Sequence, residues 1–273
     1  MKSLPLIPIL LFFISSSCLA QNPNQAIFDG YNMLKVHEST LGIYYAQANE
    51  QAQIEKIDSF LISKADSIST RFKHRLTGKV QFEFYPNQAL AEFVCGWDTT
   101  KSNQKSNRIG CAHYINKIQM VMPGATPKSD SIYSDWGGDL KVILHEYIHS
   151  FTYDIVGEDR INKIPFLFTE GIALYTSKQI YLNSNFKKII HQRLEQNAVP
   201  KFQILMINKK FITIKNSYHW SFLFINYIID NYGWDTFLDI QNNFEDYNKI
   251  LKKKDKEINQ DWFQYLESNR LKI

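Results

Sequence analysis

From Val142 to Phe151 the chain reads V-I-L-H-E-Y-I-H-S-F. Its apolar residues Val142, Ile143, Tyr147, Ile148 and Phe151 recur at helical spacing, so the segment after Asp139 is predicted to be a largely buried helix. His145, Glu146 and His149 interrupt it. Burying them is costly unless they are paired or bound to a metal. At about 3.6 residues per turn, positions four apart differ by roughly 40° around the axis. The two imidazoles therefore project from one face and can share a cation. Glu146 stands about 100° from His145, close enough to reach a water on that cation without ligating it. A hydrogen-bonded His/Glu cluster without metal is the competing arrangement.

A catalytic zinc takes three protein ligands and leaves its fourth position for water. The candidate third ligand is Glu170, a lone carboxylate in the apolar segment P-F-L-F-T-E-G-I-A-L-Y that begins at Pro165. On a buried helix an unpaired carboxylate is expensive, and a cation is the simplest remedy. Stabilisation by the dipole of a helix start is the alternative. Gly171 beside it is expected to let the two helices approach closely.

HEYIH followed downstream by FTEGIALY resembles the gluzincin branch of zinc peptidases, in which a second helix brings a glutamate ligand within an EGxA(x)Y stretch. Aminopeptidase-type and peptidase MA-like members look most similar. The resemblance spans roughly residues 41–233, and its specific part lies between His145 and Tyr175. It implies a zincin-like fold and cleavage of a peptide or protein substrate. One Zn2+ per chain would be held by His145, His149 and Glu170, with Glu146 as general base. A strand over residues 118–122 would match the edge strand that pairs with an extended peptide. The family also often has a tyrosine at the start of a later helix, whose hydroxyl meets the developing oxyanion. Tyr218 matches that place, with His219 as its substitute. A purely structural place for Tyr218, in an aromatic stripe with Trp220, Phe222, Phe224 and Tyr227, is the alternative.

Two features depart from the aminopeptidases. The gap between His149 and Glu170 is slightly longer, and no GxMEN-like segment exists, the corresponding region reading M-V-M-P-G-A from Met120. Endopeptidase and exopeptidase activity both stay open. The same residues would also serve a non-catalytic, zinc-stapled binding module, or a zinc hydrolase of a non-peptide amide such as a cell-wall crosslink or acylated sugar. A structural zinc normally fills all four positions, and only three ligands are visible, which argues against the staple.

The pattern around this motif predicts an α+β chain, a small mixed sheet followed by a mainly helical region. Residues 39–46 carry Leu41, Ile43 and Tyr45 in alternation and read as a strand. So do residues 80–85, with Val80, Phe82 and Phe84, and residues 115–122, with Ile118, Met120 and Met122. Between the first two, residues 50–75 form one amphipathic helix, and residues 98–108 are a polar loop. Helices are expected over 166–177, 186–196, 218–231, 234–243 and 258–268. Residues 21–38 are polar and weakly periodic, a lead-in to a single catalytic unit over 39–273.

Residues 1–20 have the layout of a secretory signal peptide: Lys2, an apolar core, then small residues up to Ala20. Export to a periplasm or medium follows. Anchoring through an acylated Cys18 is the alternative, although Ser15 stands where that motif expects an apolar residue. The apolar core is too short to span a bilayer, so no integral membrane span is expected. In an oxidising compartment Cys95 and Cys111 can pair or remain buried thiols, and no CxxC spacing points to a cysteine metal site. The 31 basic and 27 acidic residues are interspersed, giving +4, a balance that predicts no nucleic-acid partner. His37, His74, His113 and His191 lie outside any ligand spacing.

Overall fold

The computed structural model describes residues 25–28, 31–87, 90–91, 94–95, 110–113, 116–123, 136–179 and 184–269. The expected signal segment with Cys18, and the loop over 98–108, lie outside them. Among the described residues one mixed sheet is formed by β1 (Gln25–Phe28), β2 (Tyr31–Glu38), β3 (Gly42–Ala46), β4 (Val80–Tyr85), β5 (Gly110–His113) and β6 (Lys117–Val121), in the order β1-β2-β3-β4-β6-β5. The first three strands are an antiparallel meander. β4 runs parallel to β3 and to β6, and β5 returns antiparallel on β6. The helix α1 (Gln51–Phe72) makes the crossover that a parallel β3/β4 pair requires.

The remainder is helical: α2 (Trp136–Val156), α3 (Phe166–Ser177), α4 (Ser184–Glu195), α5 (Ser217–Asn242) and α6 (Asp255–Ser268), joined by short helices. This is the expected α+β class. Gly233, with φ 86°, interrupts α5 where the pattern placed a break between two helices. Among the described residues no helix is long and apolar enough to cross a membrane.

α1 and α2 cover one face of the sheet. Phe82 stacks on Tyr44 at 4.7 Å and lies near Tyr147 of α2, while Phe72 of α1 meets Phe151 of α2 at 5.6 Å. The interleaved apolar residues of α2 are buried here, as their periodicity requires.

Three expectations are corrected. Residues 118–122 do not form an edge. β6 pairs on both sides, with β4 and β5, so the last strand of the sheet is β5. The lead-in segment contributes β1 (QAIF) and β2 (YNMLKVHE), whose apolar residues do not follow one clean alternation, and Met33 of β2 is fully buried. In β3 the inward face is Gly42, Tyr44 and Ala46, not Ile43 and Tyr45. Tyr44 faces inward because its hydroxyl donates to the buried carboxylate of Asp58 on α1 at 2.6 Å, which also accepts from Ser39 and bonds His37.

The opposite face is held by a polar network. Glu83 of β4 is fully buried. It accepts hydrogen bonds from Tyr85, Gln119 and Gln81 and pairs with Lys117 at 2.9 Å, so its charge is compensated on every side. Beside it Cys95 and Cys111 are joined in a disulfide that ties β5 to the segment after β4. With both sulfurs bonded, the nearby His113, 3.2 Å from Cys111 Sγ, has no thiolate with which to share a metal.

Candidate metal centre

His145, Glu146 and His149 lie on the middle turns of α2, all buried. Helical spacing brings the two rings together. Their centroids are 4.7 Å apart, and Nε2 of His149 is 3.1 Å from Nε2 of His145. Into this pair α3 projects Glu170, whose Oε2 stands 3.2 Å from His145 Nε2 and 3.6 Å from His149 Nε2. α3 is placed by its other side. A Cβ on Gly171 would meet Ile225 Cγ1 at 2.5 Å and the Ser221 carbonyl at 2.8 Å. The close approach that Gly171 permits is thus to α5, and it sets how deeply Glu170 reaches.

The three donor atoms fit a small cation. Ligands about 2.0–2.1 Å from a tetrahedral ion stand about 3.3 Å from one another, and separations of 3.1, 3.2 and 3.6 Å bracket that value. Two imidazoles and one carboxylate form a donor set that can hold a divalent metal ion. No other described His, Cys, Asp or Glu joins the group.

Charge reinforces the geometry. Burial opposes ionisation of Glu170, yet His149 and His145 hold its carboxyl far below the usual range. Burial likewise disfavours a charged His149, but Glu170 and then Glu146 raise its pKa above the ordinary value.

Glu146 points elsewhere. Its carboxyl lies against β5: the Ala112 amide donates to it, and a Cβ on Gly110 would stand 3.2 Å from Glu146 Cγ. Burial raises its pKa, and the two histidines only partly offset that. It lies beside the donor triangle and outside it.

Tyr218 opens α5 and is half-exposed, its ring edge-on to Phe211 at 5.9 Å. Trp220, Phe224 and Tyr227 are buried in the helix core, so Tyr218 is not part of that stripe. His219 is half-buried, and burial lowers its pKa. His37 and His74 are held by Asp58 and Asp154, each at 2.8 Å, away from the centre.

One residue escaped the motif reading. Tyr153, a further turn along α2, lies parallel to the His149 ring at 5.7 Å and 12°. Burial raises its pKa, as do the nearby charges of Glu170, Glu146 and Tyr218 in turn, which places it among all of them. Spacing by four from His149 was the signal. The Nδ1 atoms of both histidines are buried without a hydrogen-bond partner among the described residues. Ring packing on Tyr153 thus supplies for His149 the orientation that an Nδ1 hydrogen bond commonly provides.

No protein-family model matches the chain, and no curated protein matches it, so what this centre can do is decided by its own residues.

Proposed function

We propose that the chain is an exported zinc hydrolase that cleaves peptide bonds, with His145, His149 and Glu170 as ligands of one Zn2+ and Glu146 as general base. The observation that carries the reading is the convergence of three donor atoms, from two helices, at separations suited to one tetrahedral ion. Bound there, zinc supplies Lewis acidity toward water and a carbonyl oxygen.

The protein's own groups would do the rest. Glu146 takes the proton of the attacking water and hands it to the leaving amine. Its burial raises its pKa, the direction that favours such an exchange. Tyr218 donates a hydrogen bond to the oxyanion as charge develops. An extended substrate would align along β5, the last strand, rather than along residues 118–122.

Metal analysis and a cleavage assay on a mixed peptide library test this, with Glu146→Gln as the key variant. One zinc per chain and chelator-sensitive cleavage are expected. Glu146→Gln should keep the metal and lose about 10²–10⁴-fold in rate. Protein without stoichiometric zinc sinks the proposal. Zinc without cleavage by either form indicates a staple, and cleavage confined to non-peptide amides reassigns the substrate.

A further inference from the structure

Among the described residues seven large apolar side chains stand exposed. Five belong to one region: Phe166 at the start of α3, Ile204, Ile207 and Ile212 on or beside the short helices Phe202–Leu205 and Asn208–Phe211, and Tyr218 at the start of α5. Phe166 and Tyr218 both pack edge-on against Phe211, at 6.1 and 5.9 Å, and Asn208 bonds the Phe166 amide and the Ile164 carbonyl. Phe166 and Tyr218 thus flank the Asn208–Phe211 helix, beside which Ile207 and Ile212 lie in sequence.

Its isoleucines are not needed to hold these helices. Phe202, Leu205 and Phe211 anchor them from the inside, and the Phe202 amide donates to Asn259 of α6 at 2.9 Å. Exposed apolar side chains gathered in one region are a feature of docking surfaces. Ile212, at 67 % exposure, protrudes from the surface rather than lining a cleft.

Charge narrows the occupant. From residue 196 to residue 229 the sequence contains no Asp or Glu. Lys201, Lys209, Lys210 and Lys215 are all exposed there, and none pairs with another described residue. Exposed aliphatics beside these four lysines, with Asp255 the acidic group that reaches the Phe202–Leu205 helix through Gln203, suit an apolar phase beneath a layer of negative charge, with the lysine stems lying along the apolar surface and their ammonium groups in the polar layer.

We propose that this surface docks the protein on an anionic lipid bilayer, with Ile204, Ile207 and Ile212 among the acyl chains and the four lysines at the headgroup phosphates. Phe166 lies one helical turn before Glu170, so a docked molecule holds its candidate metal centre beside the membrane. Docking requires neither metal nor turnover.

Co-sedimentation of the full chain with phosphatidylcholine vesicles, with and without phosphatidylglycerol, tests the proposal. Binding should require phosphatidylglycerol and weaken as salt rises. Lys209→Gln with Lys210→Gln should weaken it by about 25-fold, at about fivefold per charge. Ile207→Ser with Ile212→Ser should weaken it at least about tenfold, with zinc content and Tm unchanged. Should that pair fail to fold, the lysine pair carries the test.

Absence of binding, equal binding to neutral vesicles, or variants that bind like wild type overturns the proposal. The last result would assign binding to another part of the chain, such as residues 1–20. Loss of soluble-peptide cleavage with vesicle binding intact makes the patch a peptide surface and equally overturns it. So does a dimer that the isoleucine pair dissociates.

Discussion

Gly110 of β5 leaves the strand bare where Glu146 of α2 lies against it. A Cβ there would stand 3.2 Å from Glu146 Cγ, 3.3 Å from its Oε1 and 3.2 Å from Met120 Cβ. The smallest residue on the last strand therefore sets the position of the proposed base. Gly110→Val should push the carboxylate aside while the three metal donors stay in place. Misplacement of a catalytic group by about 1 Å can cost about 10²-fold. A fall in kcat of that order with full zinc content is expected, and wild-type turnover in this variant would remove Glu146 from the mechanism.

Zinc and protons compete for His149. Its pKa is raised, against the effect of burial, by Glu170 and Glu146, so protonation sets in at a higher pH than the roughly 6.5 of a free imidazole. Zinc affinity should fall as pH drops through that range, with proton release on binding. In metal-free protein the sign is opposite. A raised pKa gives stability that is present below the unfolded value and lost as pH rises through the folded one. The gain in Tm on adding zinc should thus grow with pH, measured by scanning calorimetry with and without chelator. A gain independent of pH would mean that zinc binds elsewhere.

Under the proposed mechanism Tyr218 is the oxyanion donor, and Tyr153, which lies near Glu170, Glu146 and Tyr218, is its alternative. Tyr218→Phe removes a hydroxyl from a half-exposed ring and should lower kcat by about 10²–10³-fold with KM and Tm nearly unchanged. Tyr153→Phe keeps the ring parallel to His149, and full zinc content with a smaller kcat change is expected. If instead Tyr153→Phe shows the larger loss in kcat, the donor role passes to Tyr153.

Gly171→Ala tests how Glu170 is placed. The added methyl would overlap Ile225 and the Ser221 carbonyl of α5, and backbone cannot yield as a flexible side chain does. Overpacking of this kind costs about 1–3 kcal/mol. Because α3 must shift, zinc affinity should fall together with denaturant stability. A variant that loses stability but binds zinc as tightly as wild type would show that Glu170 reaches the histidines whatever the α3/α5 spacing.

What the sequence determined by itself is whatever depends on local geometry. Helical period alone brings His145 and His149 onto one face of α2 and swings Glu146 to the side, because the positions lie within two turns. The break at Gly233 is local in the same way, since only the preceding residues and one positive φ are involved.

Tertiary structure decided everything that needed a partner from elsewhere in the chain. Glu170 is a ligand candidate by composition, but its oxygen reaches the imidazoles because α5 fits against Gly171. Alternation in residues 115–122 announces a strand and is silent about its neighbours. Pairing on both sides made β6 interior and gave the last position to β5, a strand of four half-buried residues with no apolar alternation to reveal it. The inward turn of Tyr44 depended on a carboxylate from α1. Hydrophobic periodicity records which face of an element is buried, whereas strand order and helix depth follow from contacts between segments far apart in the chain, which no local pattern encodes.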